Sequence, residues 1–117
     1  RGVGHLLYLS GIGARQRGTR EIPGVTLNAD GSVAAYDIEV QCRSVFENIR
    51  VILEDTGSSW DRIVDVSVYL IDLKRDFAAF NRLYAEYFTH QPTRTTVEVT
   101  ALPTPIAVEL KVIATID

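Results

Sequence analysis

A chain of 117 residues has room for one hydrophobic core, since single domains usually run to roughly 100–200 residues. Hydrophobic residues at 46% and charged residues at 23% exclude a disordered chain or a collagen-like repeat, and no apolar run approaches the ~18 residues of a membrane helix. Twelve bases against fifteen acids, a net charge of -3, leave no Lys/Arg stripe of the kind that releases counterions from nucleic acid.

The chain opens with Arg1-Gly2-Val3-Gly4, without a signal or transit pattern and without an initiator methionine. Residues 1–117 are expected to form a single domain that lacks some N-terminal residues of the natural protein. Leu6-Leu7-Tyr8-Leu9 reads as a buried strand, stopped by Ser10-Gly11-Ile12-Gly13. Residues 15–36 show no lasting periodicity and predict a long surface loop, with a turn at Asn28-Ala29-Asp30-Gly31 and a short extended piece around Val25.

From Asp37 the period changes. Ile38, Cys42, Val45, Ile49 and Ile52 recur at spacings of four and three, the stripe of an amphipathic helix capped by Asp37 and stopped at Gly57. Cys42 lies on that stripe, where a small buried core residue is the ordinary reading. As the only cysteine it cannot form an internal disulfide, which fits a reducing, cytoplasmic setting.

Ile63 to Ile71 reads as a strand with Val64, Val66, Val68 and Leu70 on one face. Asp76 is the expected cap of a second helix, with Phe77, Phe80, Tyr84 and Phe88 as its stripe and Pro92 beyond its end. Two final strands follow. In the first, Thr95, Val97, Val99 and Ala101 alternate with Arg94, Thr96, Glu98 and Thr100. In the second, Val108, Leu110, Val112, Ala114 and Ile116 share one face. The pattern predicts a hairpin through Leu102-Pro103-Thr104-Pro105 that closes at Ala101 and Ile106, with Glu98 opposite Glu109 and Thr96 opposite Lys111. Arg94 would then lie roughly 13 Å along the strand from Glu98, so Arg94 and Glu109 meet only across a subunit boundary or through a ligand.

These elements describe an α+β fold, a sheet with two helices packed on one face. The other sheet face mixes Thr, Tyr, Ile and isolated charges, which predicts that copies of the chain cover it. No phosphate loop, dinucleotide fingerprint or Gly-x-Ser-x-Gly elbow is present, and His5, His90 and Cys42 do not build a metal site, so no cofactor and no metal are expected. Two charges on half-apolar strands remain. The planar guanidinium of Arg94 can hold a carboxylate by two hydrogen bonds. Burial of Glu109 would let it exchange protons near neutrality. On spacing alone, a structural ion pair or a solvated strand face is the more ordinary reading of each.

Leu9-Ser10-Gly11, Val45-Phe46-Glu47-Asn48-Ile49, Asp76-Phe77 with Asn81 and Tyr84, Pro92-Thr93-Arg94-Thr95-Thr96-Val97-Glu98-Val99, Leu102-Pro103 and Val108-Glu109-Leu110 together carry a resemblance. The chain resembles the reactive-intermediate deaminase (RidA, YjgF-like) family over nearly its whole length. The loop from Arg15 to Tyr36 and the Arg-Thr-Thr-Val run resemble its 2-aminomuconate deaminase branch.

The resemblance implies a chorismate-mutase-like fold assembled as a homotrimer with active sites between subunits. It implies cofactor-independent hydrolysis of enamines or imines, here of 2-aminomuconate to 4-oxalocrotonate and ammonia in aromatic-compound degradation. By position, Arg94 would hold a substrate carboxylate and Glu109 would orient or activate water. Gly11, Asn81, Thr95 and Thr96 would contact substrate, and Arg15, Arg17 or Arg20 would meet a second carboxylate. Thr96 stands where the archetypal imine deaminases carry a cysteine, so thiol-dependent features do not transfer. Two other readings stay open: a broad-specificity 2-iminoacid deaminase acting on 2-iminobutanoate or 2-iminopropanoate, and a non-catalytic small-acid-binding regulatory trimer.

Overall fold

The computed structural model describes residues 2–3, 5–15 and 22–116. Strand β1 (Gly2–Val3) and β2 (Leu6–Tyr8) lead into a hairpin of β3 (Val25–Leu27) and β4 (Val33–Tyr36). Helix α1 (Ile38–Asp55), a 3-10 turn at Trp60–Arg62, β5 (Ile63–Leu70), α2 (Leu73–Tyr87), β6 (Thr93–Glu98) and β7 (Val108–Thr115) follow. The main sheet is mixed, in the order β1-β2-β7-β5-β6, and both helices pack on one of its faces. The α+β expectation holds.

The limits of α1 follow from its end residues. The Asp37 carboxylate accepts from the Glu39 and Val40 amides, two donors that a helix start leaves without partners. At the other end Gly57 takes φ +90, where a side chain would be strained. The Ser58 amide then reaches the Leu53 carbonyl at 2.8 Å and the Gly57 amide the Glu54 carbonyl at 3.3 Å, which closes the helix. Cys42 is fully buried, and burial pushes its thiol up to about 12, so it stays neutral and packs as a small core residue. Phe46 joins the two helices through edge contacts to Phe80 and Phe88, with ring centroids at 6.3 and 5.5 Å.

Four expectations need correction. First, α2 is capped by Asp72, whose side chain accepts from the Arg75 amide, and the helix starts a turn earlier than expected. Asp76 is instead buried inside that first turn, where it accepts the Tyr36 hydroxyl at 2.5 Å. Burial raises the Asp76 carboxyl and the hydrogen bond from Tyr36 works against that rise. The guanidinium of Arg75 lies 4.2 Å over the Tyr36 ring, so β4 is held on α2 from two sides.

Second, residues 25–36 are not irregular. They form the β3–β4 hairpin around the expected turn, with the Asn28 amide on the Ser32 carbonyl. A bulge between Thr26 and Leu27 breaks the alternation that would have revealed it.

Third, Val64 does not share a face with Val66, Val68 and Leu70. The pairing jumps from Ile63–Ala114 to Asp65–Ile113, which extrudes Val64 (42% exposed) and turns Ile63 (2%) inward.

Fourth, β6 and β7 are not a hairpin. Strand β6 runs parallel to β5 by way of α2, and β7 returns antiparallel along the opposite edge of β5. The two most apolar strands, β5 and β7, thereby pair at the centre, and the Thr-rich β6 takes an edge. The segment from Val99 to Ala107 crosses the end of β5, with the Val99 amide on the Leu70 carbonyl and the Ile71 amide on the Ala107 carbonyl.

One polar side chain in the core secures this arrangement. Gln41 is fully buried on α1; its amide donates to the Pro23 carbonyl at 2.8 Å, and its oxygen accepts the Ala107 amide at 2.8 Å. Gln41→Leu removes both bonds and leaves the buried Ala107 amide without a partner. The expected loss in denaturant unfolding is about 2–4 kcal/mol, with a melting temperature lower by roughly 10 °C or more. A loss below about 1 kcal/mol would mean that water or a shifted backbone replaces the bridge.

Candidate functional site

Arg94 sits on edge strand β6, in register with Val66 of β5, so its side chain leaves the sheet on the helix side. Residues Phe77, Phe80, Asn81 and Tyr84 of α2, spaced by three and four, meet it from above. The guanidinium lies 4.6 Å from the Tyr84 ring centroid, 5.8 Å from Phe80 and 6.0 Å from Phe77. One amino group donates to the Asn81 side-chain oxygen at 2.9 Å. Among the described residues no carboxylate pairs with Arg94. A guanidinium has five N–H donors, and one of them is engaged among the described residues. The aromatic rings fix its plane without neutralising it, which leaves a cation oriented for an incoming anion.

Beside Arg94, α2 and the start of β6 border an open groove of about 570 Å³. Two buried hydroxyls nearby, those of Tyr84 and Thr96, find no hydrogen-bond partner among the described residues. Burial raises the Tyr84 phenol above its ordinary value, with Arg94 pulling the other way, so it is a neutral donor at physiological pH.

Glu109 lies elsewhere. It pairs with Tyr69 across β7 and β5, on the sheet face away from the helices. Strand β2 and the chain after it run along β7, with the Leu9 amide on the Val112 carbonyl and Ile12 exchanging both backbone bonds with Leu110. Between the Tyr8–Ile113 and Ile12–Leu110 pairs this segment has one residue more than β7, so it bulges at Ser10-Gly11. Gly11 therefore presses on the Glu109 carboxylate: a Cβ on Gly11 would stand 2.5 Å from Oε2 and 2.9 Å from Cδ.

The expected site residues thus form two groups. Arg94, Asn81 and Thr96 share the helix face, whereas Glu109 and Gly11 share the open face. Thr95 also points to the open face, paired with Ser67, and is exposed. With β5 between their strands and a three-residue offset along them, the Arg94 and Glu109 backbones are roughly 14 Å apart. They do not meet within one chain, as expected, but the cause is the intervening strand and the opposite faces.

Arg15 is exposed, its carbonyl held by the Asn48 amide at 2.8 Å, while Arg17 and Arg20 lie outside the described residues. His90 contacts the Ile63 carbonyl at 3.1 Å, and no metal-binding cluster occurs among the described residues. No helix among the described residues is long and apolar enough to cross a membrane. Tyr84 as the platform for Arg94 escaped the sequence reading, because its i, i+4 spacing from Phe80 is also that of an ordinary core stripe.

The profile of a family described as "Endoribonuclease L-PSP" matches residues 2–116. A RutC family protein of Pyrococcus abyssi is 45% identical over 85 residues, 72% of this chain and 66% of the relative, so the match spans just under two thirds of that protein. The crystal structure of Escherichia coli TdcF with bound serine superposes with a TM-score of 0.82 at 29% identity, covering 100% of this chain and 85% of that one. RidA from an Antarctic Psychrobacter superposes with a TM-score of 0.82 at 32% identity, covering 99% of this chain and 85% of that one.

Proposed function

Because the chain belongs to the Endoribonuclease L-PSP (RutC, YjgF, RidA) family, we propose that it is a cofactor-independent deaminase of carboxylate-bearing enamines and imines. One observation carries this reading: the Arg94 guanidinium is caged on α2 with most of its donors free and no acidic partner among the described residues. A relative that holds serine, itself a small carboxylate, supports the same ligand class.

In this reading Arg94 takes the substrate carboxylate, and Glu109 of another copy approaches from its open sheet face. The separation of the two groups within one chain supports a homotrimer with sites between subunits. A 2-amino-enoic acid first shifts a proton from nitrogen to carbon and becomes an imine. Water oriented by Glu109 then adds its oxygen to the imine carbon and gives one proton to nitrogen. The carbinol hydroxyl then passes its proton to the nitrogen, the C–N bond breaks, ammonia leaves, and the carbinol oxygen becomes the ketone. Each turnover thus consumes one imine and one water, and holding them in contact is itself a large part of the acceleration. Asn81 fixes the Arg94 fork, Gly11 forms the wall against Glu109, and the remaining substrate contacts are the Thr96 hydroxyl on the Arg94 face and the Thr95 hydroxyl on the open face of the copy that brings Glu109. A lone neutral thiol, Cys42, fits a reducing, cytoplasmic setting.

The narrower substrate is 2-aminomuconate, with a loop arginine (Arg15, Arg17 or Arg20) on its second carboxylate; 2-iminobutanoate is the small-substrate alternative. Ammonia release from both, freshly generated and without added metal or cofactor, tests the reading. Turnover of the diacid alone supports the aromatic-degradation enzyme, and comparable turnover of both supports a general scavenger. Turnover of neither, with small acids still bound at Arg94, would replace the deaminase by a regulatory trimer.

Gly11→Ala provides a second check. The new methyl would displace the Glu109 carboxylate, the mobile end of a half-buried side chain, so the fold should keep its melting temperature. A shift of about 1 Å in a catalytic group costs on the order of 100-fold, so kcat should fall by about 10- to 100-fold. Unchanged kcat would remove Glu109 from the reaction.

A further inference from the structure

We propose that Asn48 of α1 is a positioning residue for Glu109: it ties down the strap of chain from Ser10 to Arg15, and the strap confines the Glu109 carboxylate through Gly11. The effect on turnover rests on the deaminase reading, whereas the tie itself is measured without substrate.

Ser44, Asn48, Ile52 and Thr56 follow one another at four-residue intervals along one side of α1 and its C-cap. The first two hold the strap. The Asn48 amide nitrogen donates to the Gly13 carbonyl at 3.1 Å and to the Arg15 carbonyl at 2.8 Å, and the Ser44 hydroxyl donates to the Ala14 carbonyl between them at 2.8 Å. Three consecutive carbonyls thus take side-chain donors from one helix row. Both partners of Asn48 are acceptors, so its nitrogen faces them and both of its hydrogens are used.

The next two positions of the row leave the strap without support. Ile52 and Thr56 line an open groove of about 370 Å³ beside Leu9, Ser10 and Gly11. On the other side β7 binds the backbone of Leu9 and of Ile12, and among the described residues neither Ser10 nor Gly11 makes a backbone hydrogen bond. The bulge at Ser10-Gly11 therefore has space to enter, and ties at its ends, rather than packing, set its position. Gly11 in turn limits Glu109, since a Cβ there would stand 2.5 Å from Oε2. Releasing the Gly13 and Arg15 carbonyls lets the bulge relax into the groove, and the Glu109 side chain then gains rotamers that the wall now denies it.

Asn48→Ala should lower kcat for 2-iminobutanoate by about 10- to 100-fold, the cost of misplacing a catalytic group by about 1 Å, with KM within about threefold because Arg94 is untouched. In a Glu109→Gln background the same substitution should change kcat by less than about twofold, since no carboxylate is left to position, whereas a merely structural role would lower both backgrounds alike. Ser44→Ala removes one tie of the three and should act in the same direction by about threefold, which keeps the test open if Asn48→Ala does not fold. Hydrogen exchange reads the tie directly. The Ile12 and Leu110 amides, which bond each other's carbonyls, should exchange about tenfold faster in Asn48→Ala, while the central amides of β5 keep their rates. Unchanged kcat, an equal fall in both backgrounds, or unchanged exchange at Ile12 and Leu110 would each overturn the inference. If the wild type hydrolyses no imine, the deaminase reading falls, and the exchange rates still decide whether Asn48 holds the strap.

Discussion

Arg94→Ala is expected to lower kcat/KM for imine hydrolysis by about 30- to several-thousandfold, mainly through KM. Removing one partner of a desolvated, hydrogen-bonded charge pair costs about 2–5 kcal/mol, which converts to that range. The substrate carboxylate is present before and during reaction, so the guanidinium binds ground state and transition state alike, and its loss appears in KM. The fold should survive, because the protein loses one hydrogen bond to Asn81 and the cation's contacts with the Tyr84, Phe80 and Phe77 rings, which stay packed on α2. Arg94→Lys should recover part of the binding but not all of it. An ammonium supplies charge without the planar fork, and it cannot lie flat over Tyr84 while bonding Asn81. Steady-state kinetics with 2-iminobutanoate read the split. Activity of Arg94→Ala within threefold of wild type would remove the anchor on which the functional reading stands.

Glu109→Gln should show the complementary pattern, with kcat lower by about 10²- to 10⁴-fold and KM little changed. Glutamine has nearly the same shape but no basic carboxylate, so it fills the space against Gly11 without drawing a proton from water. Its stability should match the wild type, since no hydrogen bond or ion pair to Glu109 occurs among the described residues. Mixing Arg94→Ala with Glu109→Gln subunits then tests the shared site. A site built from two copies regains activity in mixed assemblies that combine an intact Arg94 with an intact Glu109. Activity that stays absent after verified subunit exchange would place both groups in the same copy's site.

The residues named in advance were legible to different degrees. Arg94 and Glu109 stood out as isolated charges on apolar strands, and the resemblance supplied roles for them. Their opposite faces were not legible, because the face of a strand residue follows from its partners. The hairpin assumed for β6 and β7 put both residues on one face, whereas pairing each strand with β5 separated them. Asn81 was identified through the resemblance alone, and its hydrogen bond to Arg94 gives it a physical task. Tyr84 stayed hidden inside a core stripe. Asp76 was misread for a related reason: an acidic residue near a helix start resembles a cap until a distant hydroxyl, that of Tyr36, claims it.

Local chemistry within a few residues was thus determined by the sequence alone. The ends of α1 follow from Asp37 and Gly57, the burial of Cys42 and Ile49 from a period of 3.6, and the strand character of β5 and β7 from a period of two. The tertiary structure alone decided what depends on contacts between distant segments: the central place of β5 between β6 and β7, the bulges at Val64 and Gly11, and the bridge from Gln41 to Ala107. The physical reason is that periodicity specifies which side of an element is apolar, whereas burial summed over the whole chain selects the partner that covers it. The site inherits that division, since its residue types are written locally and their meeting is set by assembly.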